Sequence, residues 1–180
     1  MRIISGQFKS RRIIAPPHLP VRPTTDRAKE ALFNILYHQY QLSELKVLDL
    51  YAGIGSISFE FASRGTSDIT AVDQNKGCTN FISSTAEKLG IDINVKTQEV
   101  FKFLETSSSL PYDIIFADPP YDLSDNEFKT LIDLVFNLNH LNKNGIFILE
   151  HSKHTDLSSH PFFDQKRTYG HSVFSWFSKK

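Results

Sequence analysis

Val47-Leu48-Asp49-Leu50-Tyr51-Ala52-Gly53-Ile54-Gly55 sets a short, mostly apolar run directly before two closely spaced glycines. Such a run reads as a buried strand. Gly53 and Gly55 then make the turn into a following helix, because glycine accepts torsions that a Cβ opposes and lets a ligand come close to the backbone. The dinucleotide fingerprint would need a third glycine, and the position three after Gly55 is Ser58. A pyrophosphate is therefore the poorer fit. Asp49, near the strand's carboxyl end, suits a ligand with a positive centre, and Asp73, closing the next apolar run, stands where an acid grips ribose hydroxyls.

Outward from this turn, short β-rich runs alternate with helix-length amphipathic segments, the pattern of an α/β fold with a parallel sheet covered on both faces. Strands are expected near 47–50, 69–73, 93–97, 113–117 and 145–150. Gly65 and Gly90 fall where left-handed helix ends are wanted, and Ser124-x-x-Glu127 is a capping-box signature. Gln165 to Tyr169 and Val173 to Phe177, separated by Gly170, read as a closing hairpin whose last strand runs antiparallel. Ahead of this body, Arg2 to Ser5 and Arg11 to Ile14 are expected to pair across Gly6. Pro16, Pro17, Pro20 and Pro23 keep the chain extended, and a helix runs from about Thr25 to Tyr37. Residues 1–40 are thus expected to form a small basic appendage, and 41–180 the main domain.

At 180 residues the chain has the size of one ordinary domain. With 40% hydrophobic and 22% charged residues it is neither disordered by composition nor membrane-spanning. The first residues carry no secretory pattern, and the single cysteine, Cys78, excludes an intramolecular disulfide and a Cys-based zinc cluster. A cytoplasmic protein without metal is expected. The formal net charge of zero hides an asymmetry, since residues 1–30 hold seven basic side chains against two acids, a net of +5. One basic end on an acidic body suits a polyanionic partner.

Asp118-Pro119-Pro120-Tyr121 follows the apolar run 114–117 and so lies at a strand's carboxyl end, facing the same crevice as Gly53. The prolines fix the backbone and leave the Pro119 carbonyl free to accept. This suits methylation of a planar exocyclic amine, whose lone pair is delocalised until acceptors hold its two N–H groups. The Asp118 carboxylate and Pro119 carbonyl supply those acceptors, and Tyr121 would stack on the ring. With Asp49 and Asp73, the ligand indicated is a nucleoside with a cationic appendage, S-adenosylmethionine.

Arg2-Ile-Ile-Ser-Gly, Arg22-Pro-Thr-Thr-Asp-Arg27, Glu30-Ala-Leu-Phe-Asn34, Asp49-Leu-Tyr-Ala-Gly-Ile-Gly55, Ser63-Arg-Gly65 and Asp118-Pro-Pro-Tyr121 resemble, in order, the bacterial RsmD family of class I S-adenosylmethionine-dependent methyltransferases. That family methylates N2 of a guanine in 16S ribosomal RNA. The resemblance implies a Rossmann-like, seven-strand, mostly parallel sheet with an antiparallel last strand and helices on both faces. It implies catalysis at Asp118, Pro119 and Tyr121, and cofactor contacts from Asp49, Tyr51, Ala52, Gly53, Gly55, Asp73, Glu99 and Thr25. RNA would be gripped by Arg2, Lys9, Arg11, Arg12, Arg22 and Arg27, within an assembling small ribosomal subunit, by a monomer. Three positions depart from the family: Asp73 stands where Glu is usual, Ile54 where Ser or Thr is frequent, and Glu99-Val100 where the adenine edge is commonly met by Asp or Asn and alanine. Other readings are methylation of adenine N6, cytosine N4 or a protein glutamine, a noncatalytic RNA-binding assembly factor, and a nicotinamide-dependent oxidoreductase.

Overall fold

In the computed structural model, which describes residues 1–20, 24–107, 111–120, 122–170 and 172–179, seven strands form one sheet in the order β3-β2-β1-β4-β5-β7-β6. The strands are β1 (Lys46–Leu50), β2 (Asp68–Asp73), β3 (Asn94–Thr97), β4 (Tyr112–Ala117), β5 (Leu141–Ser152), β6 (Phe163–Tyr169) and β7 (Ser172–Phe177). The first five run parallel, while β7 lies antiparallel between β5 and β6, as the glycine-split tail foretold. Helices α1 (Asp26–Gln39), α2 (Ser56–Ser63), α3 (Lys76–Leu89), α4 (Val100–Thr106) and α5 (Asp125–Asn137) complete the fold, and no described helix is long and apolar enough to cross a membrane. The expected caps are present: Gly90 is left-handed at the end of α3, and Ser124 and Glu127 exchange side-chain and backbone hydrogen bonds at the start of α5.

Strand side chains alternate between two cores. Val47, Ile69, Ala71, Ile114, Phe116 and Ile148 meet α1, α2 and α3 on one face. Leu48, Leu50, Val72, Ile115, Phe147 and Leu149 meet α4 and α5 on the other. Burial on both sides explains why these strands read as continuous apolar runs rather than alternating ones.

The N-terminal segment packs into the first core. Ile3 and Ile13 are buried beside α1 and α2, so every residue of α2 is covered, with the sheet on one side and the arm on the other. The expected hairpin is reduced to a single antiparallel bridge, Arg2 with Arg12. Its tip is fixed elsewhere: Gly6 sits at φ +84°, where a Cβ would lie 1.8 Å from the Ser63 carbonyl oxygen, and the Gln7 N–H donates to that same oxygen at 2.7 Å. Beneath the arm, the fully buried Glu60 carboxylate accepts from the Ile4 N–H at 2.6 Å and from Lys29 Nζ at 3.2 Å, and it also pairs with Arg64. Lys29 Nζ in turn donates to the Arg2 carbonyl at 2.7 Å, tying helix, arm and α2 through one carboxylate.

Removing one partner of a buried pair leaves the other charge without compensation. Glu60→Ala should lower stability in urea unfolding by about 3–5 kcal/mol, and Glu60→Leu combined with Lys29→Met and Arg64→Met should recover most of that. A single-variant loss below about 1 kcal/mol would show that this carboxylate does not hold the arm.

Candidate functional site

Strand order reverses between β1 and β4: from β1 the chain moves outward to β2 and β3, and from β4 it moves the other way to β5. Connections that leave in opposite directions open a crevice at the strands' carboxyl ends. The register sets which residues reach it. Leu50 pairs with Val72 and with Ala117, and Ala117 with Leu149. One residue further on, Asp73, Tyr51, Asp118 and Glu150 therefore form a row across four strands, with Asp49 one pleat beneath. By the two-residue period of a strand, Asp49, Asp73, Asp118 and Glu150 all project on the face of α1, α2 and α3.

At this edge lies a cavity of about 660 Å³, within the usual range of small-molecule sites. Asp49, Tyr51, Ala52, Gly53, Asp73, Glu99, Asp118 and Pro119 all line it, so residues far apart in sequence share one pocket. Asp49 is almost fully buried, and its Oδ2 accepts from the Ser58 N–H at 3.0 Å and the Ser58 hydroxyl at 2.6 Å. The serine that broke the glycine fingerprint is thus the residue that orients Asp49. Burial pushes the Asp49 carboxyl up to about 7, against the pull of the two Ser58 donors, with the Asp73 charge adding to the rise. A cationic ligand would relieve that burden.

Backbone shape follows from the glycines and one strained residue. Tyr51, Gly53 and Gly55 all have φ between +54° and +78°. For tyrosine this costs about 1–2 kcal/mol, held by its surroundings: the Ala52 N–H donates to the Val72 carbonyl at 3.0 Å, and the Gly53 N–H to Asp73 Oδ2 at 2.8 Å. Gly55 lies behind the pocket lining, where a Cβ would come within 2.9 Å of Phe59 and 3.1 Å of Ile82. The Tyr51 hydroxyl and Ser56 Oγ are buried without a hydrogen-bond partner among the described residues, and both residues line the pocket. The size of the cavity fits a ligand of nucleoside dimensions.

Several expected residues sit otherwise. Thr25 is exposed and caps α1, its hydroxyl oxygen accepting from the Ala28 N–H; Thr24, its neighbour, lines the pocket. Glu99 lines the pocket but also caps α4, its carboxylate accepting from the Phe101 and Lys102 N–H groups at 3.0 and 2.9 Å. Arg2 is paired with Asp26 at 3.1 Å, whereas Lys9, Arg11, Arg12 and Arg27 are not fully buried and form no ion pair among the described residues. Arg22 and Tyr121 lie outside the described residues.

Sequence reasoning missed Thr24, Pro20 and Glu150. Thr24 donates to the buried Glu150 carboxylate at 3.0 Å, and Pro20 and Thr24 both wall the pocket. The residue after Glu150, His151, is buried against the Ser175 hydroxyl and the Ser152 carbonyl, and burial holds its pKa below the ordinary histidine value.

Three comparisons bear on this site. The model of the family described as conserved hypothetical protein 95 matches residues 1–178. The chain is 32% identical to Ribosomal RNA small subunit methyltransferase D of Haemophilus influenzae, over 85% of this chain and 79% of that one. It is 28% identical to the Bacillus subtilis protein named "Putative rRNA methyltransferase YlbH" over the full length of both. Among solved structures, a hypothetical protein of Thermus thermophilus superposes with a TM-score of 0.85 at 22% identity, covering 99% of each chain.

Asp49 also sets a pH signature. Its carboxyl titrates higher in the folded chain than the ordinary 3.8, so the proton favours the fold. That contribution is full below about pH 4 and is lost as pH rises through about 7. Urea unfolding at about pH 5 and about pH 8 should show Asp49→Asn free of a decline that costs the parent about 2–3 kcal/mol. Parallel pH curves for the two proteins would place the Asp49 carboxyl back in the ordinary range.

Proposed function

Because the chain belongs to the conserved hypothetical protein 95 family of RsmD-like methyltransferases, we propose that it methylates the exocyclic N2 amine of a guanine in 16S ribosomal RNA. The sheet, with its reversed seventh strand, is the class I methyltransferase fold, and the chain is an S-adenosylmethionine-dependent methyltransferase. The observation that carries the reading further is the meeting of Asp118 and Pro119 with Asp49 and Asp73 in one nucleoside-sized cavity. The name of the Haemophilus relative and the exposed cations of the N-terminal arm favour ribosomal RNA over protein as acceptor.

S-adenosylmethionine, when bound, supplies a methyl group on a positively charged sulfur. Asp49 would hold its amino group, Asp73 its ribose hydroxyls, and Glu99 with Val100 its adenine edge. Gly53 would let the backbone come close. At the substrate, the Asp118 carboxylate and Pro119 carbonyl accept the two N–H groups of the amine, drawing its lone pair out of conjugation with the ring and aiming it into the pocket. Holding a nucleophile in such a near-attack pose contributes up to about 7–11 kcal/mol. The nitrogen gains one methyl group and loses one proton, which Asp118 accepts.

Asp118→Ala should lower methyl transfer to 16S rRNA by on the order of 10²–10³-fold, while calorimetry gives an S-adenosylmethionine affinity close to the parent's. Equal loss of both would remove Asp118 from the acceptor role. Label appearing in protein rather than in RNA would overturn the choice of substrate.

A further inference from the structure

The most exposed large apolar side chain among the described residues is Ile14, at 86%. It lies on an anchored support. The Ile3 N–H donates to the Arg11 carbonyl and the Ile13 N–H to the Met1 carbonyl, each at 3.0 Å. Arg2 and Arg12, between those bonds, form the closer kind of antiparallel pair, with Cα atoms about 4.5 Å apart and side chains on one face. Ile14 follows Arg12 by two residues of extended chain and so shares that outward face, while Ile13 between them is buried in the core. Asp26 pairs with Arg2, and Arg12, exposed two residues before Ile14, forms no ion pair among the described residues.

Chain connectivity keeps this face within about 20 Å of a cavity-lining residue. Asp26, which holds Arg2, is two residues beyond the cavity-lining Thr24. Ile14 is six residues before the cavity-lining Pro20, at most about 20 Å of extended chain, and a turn closed by the Leu19 N–H on the Pro16 carbonyl shortens the span.

From the juxtaposition of Arg12 and Ile14 we propose that this face docks the RNA strand flanking the target base, Arg12 on a phosphate and Ile14 as a wedge in the stack. The inference rests on the RNA reading above and deepens it. A base whose amine reaches Asp118 must leave its stack, and the unstacking is costly in a folded RNA. An apolar side chain that enters the gap keeps the neighbouring bases apart, and a cation beside it holds the strand in register. The full exposure of an isoleucine two residues from an exposed arginine suits a surface that meets stacked bases and phosphates together.

The test uses the full chain with labelled S-adenosylmethionine and two forms of 16S rRNA, one annealed and one heat-unfolded. Ile14→Ser should lower kcat on annealed RNA about tenfold with KM nearly unchanged, and unfolded RNA should restore it. Arg12→Gln should raise KM and flatten the log-log salt dependence of binding by about 0.7–0.9. Both variants should keep the parent's thermal unfolding and S-adenosylmethionine affinity, since neither side chain is buried. Ile14→Ser equal to the parent on annealed RNA, or equally impaired on both RNAs, would overturn the wedge. An unchanged salt slope in Arg12→Gln would overturn the phosphate contact. A parent protein that methylates neither RNA overturns the substrate reading itself, and the docking face with it.

Discussion

Strands β1 and β4 lie side by side, yet the chain leaves them in opposite directions, and everything functional in this molecule follows from that divergence. No crossover can cover the sheet edge between them, so the edge stays open. Parallel pairing then aligns the ends of four strands in register, and the strand period turns every second side chain to one face. Asp49, Asp73, Asp118 and Glu150 converge because of these two constraints, although 101 positions separate the first from the last. Four acids at one edge would repel one another if all were bare. The structure answers with local donors: Ser58 on Asp49, the Gly53 and Asn75 N–H groups on Asp73, and Thr24 on Glu150.

The frame was legible because its signals are local. Apolar runs gave the first five strands to within a few residues, and the capping box and Gly90 marked helix ends as they stand. The seven-strand count and the reversed strand followed from a glycine between two β-rich runs and from the resemblance. The N-terminal segment was read less well. Its one ladder contact is the Arg2–Arg12 bridge, and what fixes it comes from Glu60 and Ser63, more than fifty residues downstream. A buried Lys29 has no sequence signature distinct from a surface lysine, because its partner lies on another helix.

The pocket shows the same division. Glycines and aspartates at strand ends could be placed from the strand pattern, since register carries them to the edge. Thr24 and Thr25 could not be told apart, because both precede a helix and only the helix start decides which hydroxyl caps it. The structure gives the cap to Thr25 and turns Thr24 inward. Glu99 was named only through the resemblance, and its second task, closing the amino end of α4, appears only once that helix is in place. Ser58 was noticed as an absence of glycine; its positive role required knowing that the first turn of α2 faces Asp49.

The Thr24–Glu150 hydrogen bond joins residues 126 positions apart. Contacts of such long range close late in folding, after the loops they span have been organised by shorter ones. During synthesis the amino-terminal strap can be made, and can rest on α2 through Glu60, well before β5 exists. The wall formed by Pro20 and Thr24 can be drawn shut only when Glu150 has emerged. The chain therefore cannot own a finished pocket until it is nearly all made, and a product ending before β5 would lack three of the seven strands and part of both cores.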